Sequence, residues 1–475
     1  MLFNSLTFIL FISMVLLVYP RLRLRQQNFF LLGANYFFYG WWDWRFNILL
    51  FASTAVDFIT GQKIHNASTP KGKKQWLLVS IAFNLGLLCF FKYFNFFTDS
   101  MAVLLHSFGL EPHLPVLRVI LPVGLSFYTF QSMGYIIDIY RGRLEPETDF
   151  VQYAVFVSFF PQLVAGPIER GAHLLPQIRR MRKPSAEKIW TGLNLVLLGF
   201  FKKVAIADTL APVVDEIFSK ADLASSGQLW TGVYAFTFQI YGDFSGYTDI
   251  ARGVALILGF ELIENFSAPY LSRSITEFWR RWHMSLSSWL KDYLYIALGG
   301  NRKGRLRTYA NLMMTMFLGG LRHGAAWHFA TWGVLHGLYL AVHRMILKGR
   351  KTALDWPRNL PGWVLDTAKM IVTFHLVALT WVLFRADSLS HARVYLEGLF
   401  LFQDMADLQA PVFFAAALLM TLDVMQAWTG SHTWLTDRQG VRVARYAVAQ
   451  MMFVGTLVAA IAHFNKVTPF IYFQF

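Results

Sequence analysis

The sequence predicts an all-α, polytopic transmembrane helical protein, on three observations. Of its 475 residues 55% are hydrophobic and 17% aromatic. Only 15% are charged, well below the roughly one quarter usual in soluble domains. Apolar runs that approach the ~20 residues needed to cross a bilayer recur from end to end. The Lys and Arg behind the net charge of +15 lie in short segments between those runs. That is the pattern of cytoplasmic loops, not of a nucleic-acid-binding surface. About 11 to 13 membrane segments can be counted, broken wherever Pro or Gly interrupts a run. They form one integral-membrane domain over residues 1–475, without internal repeats or low-complexity tracts. The single cysteine, Cys89, excludes a disulfide framework and Cys-rich metal sites.

Residues 3–19 read as a retained first span stopped by Arg21, Arg23 and Arg25, not as a removed signal peptide. Residues 28–60 are two segments divided at Tyr39-Gly40-Trp41-Trp42-Asp43-Trp44-Arg45, an aromatic girdle at the interface. A basic loop is expected from Lys63 to Lys74, then a span over 76–97 with Lys92 snorkelling, then a loop over 100–117 with Pro112 and Pro115. The segment from Leu121 to Asp138 mixes Pro122, Gly124, Ser126, Gln131 and Asp138 into apolar sequence. Close helix packing accounts for Gly124 and Ser126, whereas Gln131 and Asp138 require polar partners. Residues 150–168 carry Pro161 and Pro167 and predict a broken helix buried in protein or lining a cavity.

The basic stretch GAHLLPQIRRMRKPSAEK reads as a cytoplasmic loop, and 189–206 as a span with Lys202-Lys203 at or near its end. Residues 228–262 are unusual. At helical spacing Gln239, Asp243 and Tyr247 form one polar ladder and Ser245, Asp249 and Arg252 another, so this helix should line an internal cavity, with Asp249–Arg252 pairing as the structural alternative. Residues 267–298 alternate charges with Trp and Tyr and read as an amphipathic helix at or dipping into the interface. Residues 308–345, 366–384, 411–428 and 444–465 complete the spans, and the C-terminus from Pro469 to Phe475 is short and aromatic.

Within 308–345, histidines and an arginine sit in sequence that otherwise spans a bilayer, where ionisable groups mark functional sites by default. Of thirteen histidines, three compete: His283, His323 and His336. On one straight helix His323 and His336 lie about 220° apart, so they cannot share a cavity unless the helix breaks. His323, between Gly319-Gly320 and Gly324 with Trp327 one turn on, is the strongest candidate. His336 reads as a packing residue. No HxxxH or HxxEH pattern supports a metal, and Asp243-Phe244-Ser245-Gly246 is not a nucleophile elbow. A single histidine acting as general base remains the simplest chemistry, with the substrate unnamed.

RRWHMSLSSWLKDYLYIALGGNRKG followed by GGLRHGAAWHFATWGVLHG resembles the signature of the membrane-bound O-acyltransferase family, nearest its bacterial alginate O-acetyltransferase branch. LPVGLSFYTFQSMGYIIDIYRG, FPQLVAGPIER, YGDFSGYTDIARGVALILGFELIENF, YFFYGWWDWRF and FIYFQF extend the similarity over nearly the whole chain. The resemblance implies broken and re-entrant helices around a central funnel, a catalytic histidine at His323 and a second functional histidine at His283. It implies a multi-pass bacterial inner-membrane O-acetyltransferase with no tightly bound cofactor. Acetyl-CoA would be the cytoplasmic acyl donor, a polysaccharide such as alginate the extracytoplasmic acceptor, and periplasmic acetyl-transfer proteins the partners. Arg302, Lys303 and Arg305 would set topology or attract CoA phosphates. Two positions depart from the family pattern: Arg322 stands where Trp is usual, and His328 where Asn is frequent. Transfer to peptidoglycan or cellulose, D-alanyl-type transfer to teichoic acid, a transporter or flippase without acyl turnover, and a silent export scaffold are the competing readings.

Overall fold

The structure, a computed structural model, describes residues 1–110, 119–164, 166–348, 361–431, 433, 442–462 and 470–471. Pro112, Pro115, Pro469 and most of the C-terminal aromatic tail lie outside the described residues. Every regular element among those described is helical. The chain forms two compact units, residues 1–189 with 254–263, and residues 190–253 with 264–475.

In the first unit, Leu6–Val18 starts where the Ser5 hydroxyl accepts the Phe8 N–H, capping an otherwise orphaned donor. Leu24–Gly40 and Arg45–Asn66 are separated by the expected girdle. Trp41, Trp42 and Trp44 are all more than half exposed there, beside an Arg45–Asp43 ion pair of 2.6 Å. The basic loop expected from Lys63 to Lys74 shrinks to residues 67–69. Pro70 opens the next helix at the position where its missing N–H costs nothing, and the Thr69 hydroxyl accepts the Gly72 N–H. That helix, Pro70–Leu88, continues through a π turn at Cys89–Tyr93 into Phe94–Ser107, so the first part of the expected 100–117 loop is helical.

Arg45–Asn66 hides a polar cluster. Buried Asp57 accepts hydrogen bonds from Ser80 Oγ (2.6 Å) and Asn84 Nδ2 (2.9 Å), and Ser53 Oγ donates to Asn84 Oδ1 (2.8 Å). Leu125–Tyr140 begins after Gly124, whose φ of 76° and approach to the Leu163 carbonyl (2.6 Å for an added Cβ) require glycine. Gln131 finds its polar partners in the Phe156 carbonyl (2.7 Å) and Gln162 (3.1 Å). The Pro161 break is real: Phe150–Ser158 stops, the chain turns at Phe159, and Phe160–Leu163 follows. Asn35 satisfies the break, its Oδ1 accepting the Phe160 N–H (3.0 Å) and its Nδ2 donating to Ser158 Oγ (3.2 Å). A buried break without such a partner would strand backbone groups. Gly171–Ile178 then folds part of the expected basic loop into a short helix.

In the second unit, Ala186–Phe200 passes through a π turn at Phe201–Ala207 into Asp208–Ser219. Lys202 and Lys203 therefore do not end a span. They are about 97% and 99% buried in the middle of one, because the 32-residue helix Ser226–Ile257 supplies their counter-charges. Lys202 Nζ lies 2.8 Å from Asp249, and Lys203 Nζ lies 2.7 Å from Asp208 and 2.6 Å from Asp243. The alternative Asp249–Arg252 pair is a 4.0 Å contact beside the Lys202 pairing. The backbones come this close because Gly199 and Gly246 face each other's carbonyls (2.5 and 2.7 Å for an added Cβ), the small-residue packing of membrane helices.

Residues 267–298 are likewise not one surface helix. Ile275–Arg281 and Met284–Trp289 are separated at His283, a π turn follows at Leu290–Tyr295, and Phe278, Trp282, Leu286 and Trp289 are buried. The apolar side chains of this alternation, Phe278, Trp282, Leu286 and Trp289, pack in the protein core. Beyond it run Gly304–His323, Trp327–Lys348, Gly362–Arg385, Leu389–Leu399, Ala410–Thr429 and Arg442–Ala462. Four described helical stretches are long and apolar enough to cross a bilayer: Pro70–Ser107, Ala186–Ser219, Gly362–Arg385 and Ala410–Thr429. Helices such as Arg45–Asn66 and Ser226–Ile257 fall short of that apolarity because they carry the buried polar side chains just described.

Candidate active site

The site is built on a helical hairpin. Gly304–His323 and Trp327–Lys348 pack closely because a Cβ on Gly320 would strike the Phe329 carbonyl and one on Gly333 the Met316 carbonyl. Replacing Gly333 by leucine is expected to force the two backbones apart and prevent accumulation of folded protein, read by size-exclusion of the detergent-solubilised chain. Between the helices Gly324 adopts an extended conformation, and an added Cβ there would collide with the Phe329 ring. The break releases the straight-helix restriction on the two histidines. Trp332 now lies between them, its ring 5.2 Å from His323 and 4.7 Å from His336.

His323 ends the first helix, 6% exposed, with the edges and faces of Trp332 and Phe384 (5.3 Å) around its imidazole. Trp332 is stacked on Trp381 (5.7 Å), which fixes its plane. Trp327, one turn on from His323 in the sequence, is 56% exposed; Trp332 lies against the imidazole instead, because the break at Gly324 resets the helical phase after His323.

His283 is fully buried and adopts a left-handed backbone, φ 44°. Its Nδ1 lies 3.1 Å from Asn265 Oδ1, which also accepts the Ser285 N–H (3.2 Å) and the Ser285 hydroxyl (2.9 Å). The backbone donor assigns that Asn265 atom as oxygen, so Nδ1 of His283 carries the proton. Nε2 is then a lone pair, and it accepts from Arg322 Nη1 at 3.3 Å. Phe244 seals one side of the ring at 4.8 Å. His283 and His323 lie within electrostatic range of one another. The structure thus brings together His283, Arg322 and His323. Asn265, which sets the His283 tautomer, lies at the end of the YGDFSGYTDIARGVALILGFELIENF stretch, but nothing in the sequence pairs it with a histidine 18 residues on across irregular chain. Alanine at Asn265 should reduce turnover by up to about 10²-fold through loss of orientation, with the folded yield retained, measured as kcat of purified protein.

His336 and His328 are accounted for without chemistry. His336 accepts from Trp279 Nε1 at Nδ1 (3.3 Å) and bonds Thr380 Oγ1 through Nε2 (3.0 Å), while Nδ1 of His328 donates to the Leu383 carbonyl (3.0 Å).

Comparison with known proteins places this hairpin in a class. The pattern of the membrane-bound O-acyltransferase family matches residues 146–384. The chain is 44% identical over 406 residues to the probable alginate O-acetylase AlgI of Pseudomonas putida, covering 85% of this chain and 81% of that protein. It is 38% identical over 393 residues to the peptidoglycan O-acetyltransferase of Helicobacter pylori, covering 77% and 72%. The teichoic acid D-alanyltransferase of Bacillus subtilis is 28% identical over 295 residues, covering 59% and 73%. The chain belongs to the membrane-bound O-acyltransferase family. It is a multi-pass membrane acyltransferase.

Proposed function

We propose that this chain is a bacterial inner-membrane O-acetyltransferase that moves acetyl from cytoplasmic acetyl-CoA toward an extracytoplasmic polysaccharide, alginate-type in the first instance. The observation that carries the reading is a buried His323 held by aromatic rings beside a His283 whose lone pair is already engaged by Arg322. That difference divides their roles. His323 accepts the proton of the attacking hydroxyl as its oxygen bonds the thioester carbonyl; the C–S bond then breaks and CoA departs as thiolate, to be protonated. His283 and Arg322 are positioning residues, with the guanidinium close to the region where carbonyl oxygen gains negative charge. A cavity of about 380 Å³ bordered by Arg280, Arg281, Glu264, Met284 and Gln426 adjoins the His283 segment and suits a donor bearing phosphates.

The relatives named above support acyl transfer to a cell-surface polymer, with alginate as the acceptor of the relative of higher identity. The final transfer to polymer would pass through periplasmic partner proteins. Purified full-length protein supplied with radiolabelled acetyl-CoA should release CoA and label a partner or glycan in a His323-dependent way. Label on peptidoglycan fragments but not on alginate would move the acceptor assignment to the second reading. Substrate translocation without any CoA release would overturn acyl transfer.

A further inference from the structure

A second cavity, of about 520 Å³, lies in the first unit between residues 173–188 and residues 259–261. Arg180, Arg182, Lys183 and Lys188 line it against one carboxylate, Glu261. Its volume falls within the ~300–1,000 Å³ of small-ligand sites. Lys188 is paired with Glu261 at 2.7 Å, whereas Arg180 and Lys183 are exposed and form no ion pair among the described residues.

Arg182 is the unusual member. It is 3% exposed, yet among the described residues its guanidinium meets only neutral acceptors: Tyr19 Oη (2.8 Å), the Ile178 and Arg180 carbonyls (2.6 and 2.9 Å) and Asn28 Oδ1 (2.6 Å). Its charge also lies over the Tyr19 and Phe260 rings. Charges that merely set topology remain hydrated in loops. A buried guanidinium held in place without a carboxylate instead projects an uncompensated positive field into the space beside it.

The cavity is also built to stay open. Gln177 clamps Glu261 through both backbone groups (2.8 and 2.9 Å). Gly259, at φ +89°, brings the chain against Arg182, where an added Cβ would stand 3.0 Å from the Arg182 Cβ. Exposed Met181 and half-buried Pro184 sit among the cations and give the rim an apolar margin. Basic pockets of this kind beside membrane helices recognise phosphate headgroups.

We infer that this cavity binds a phosphate ester, either the headgroup of an anionic phospholipid or the phosphate of a soluble metabolite. Arg180 and Lys183 would contact the anion directly, and Arg182 would supply field from beneath. The inference is independent of the acyl-transfer reading, and acetyl transfer is measured separately.

The test is equilibrium binding of a fluorescent short-chain phosphatidate to the full-length protein in neutral detergent, with inorganic phosphate as competitor. Saturable binding is expected, weakened at least about tenfold by the double variant Arg180→Ala/Lys183→Ala, whose exposed side chains can be removed without touching the core. Lys71→Ala/Lys73→Ala, two cations on another helix of the same unit, should bind as wild type does. Displacement by inorganic phosphate would assign the site to a soluble phosphate; resistance to it, with the variant effect intact, would assign it to the lipid. Unchanged affinity in the Arg180/Lys183 variant, equal loss in the Lys71/Lys73 variant, or no saturable binding of either probe overturns the inference.

Discussion

Alanine at His323 is expected to lower acetyl transfer by at least about 10²-fold while the protein remains folded in the membrane, since a positioned general base contributes roughly 10²–10⁴-fold. The imidazole sits at a helix end already interrupted by Gly324 and makes ring contacts with Trp332 and Phe384, so its removal leaves the hairpin's glycine seam intact. The check is CoA release by wild-type and variant protein at matched concentration, with size-exclusion profiles to confirm the fold. Phe384→Ala, which removes a wall and not the base, should retain more activity than His323→Ala. Transfer within about tenfold of wild type in the His323 variant would place the proton acceptor elsewhere. His283 is a poor substitute, because its Nε2 lone pair is occupied by Arg322.

Lys203→Met is expected to destabilise the second unit strongly. It would leave Asp208 and Asp243 facing each other without their shared cation, and breaking a buried pair from one side costs about 3–5 kcal/mol. The consequences extend further. Asp243 Oδ2 accepts the Ile471 N–H at 2.8 Å, and its neighbour Phe244 packs on His283, so both the docking of Ile471 and the site depend on the same carboxylate's position. Thermal unfolding of the detergent-purified variant should show the loss. The triple variant Lys203→Met/Asp208→Asn/Asp243→Asn should recover much of it, because no charge is then stranded. A single variant as stable as wild type would show that this network contributes nothing to the fold.

How far the sequence could be read depended on whether the relevant interaction was local. The broken helix at Pro161, the division into two helices at Trp41–Trp44 and the close packing at Gly124 follow from local residue chemistry, and the structure has all three. Where the reading failed, distant chain decided. Lys202 and Lys203 look like the charged end of a span until Asp243 and Asp249, some forty residues on, bury them. The segment 267–298 looks like an interfacial helix because mixed Trp and charge fits either an interface or an aromatic core. Only the left-handed break at His283 and the burial of Trp282 separate the two.

By itself the sequence determined that this is a helical membrane protein, that the polar segments at 121–138 and 228–262 lie inside the protein, and that His323 and His283 are the histidines to weigh. These depend on hydropathy, on the cost of ionisable groups at membrane depth, and on motifs contiguous in the chain. Tertiary structure alone decided that Asn265 sets the His283 tautomer, that Arg322 engages that ring, and that Trp332 rather than Trp327 walls His323. Hydrogen-bond direction and ring geometry depend on which backbones are brought together. Here the closeness of the helices at Gly320 and Gly333, and the break at Gly324, set that arrangement.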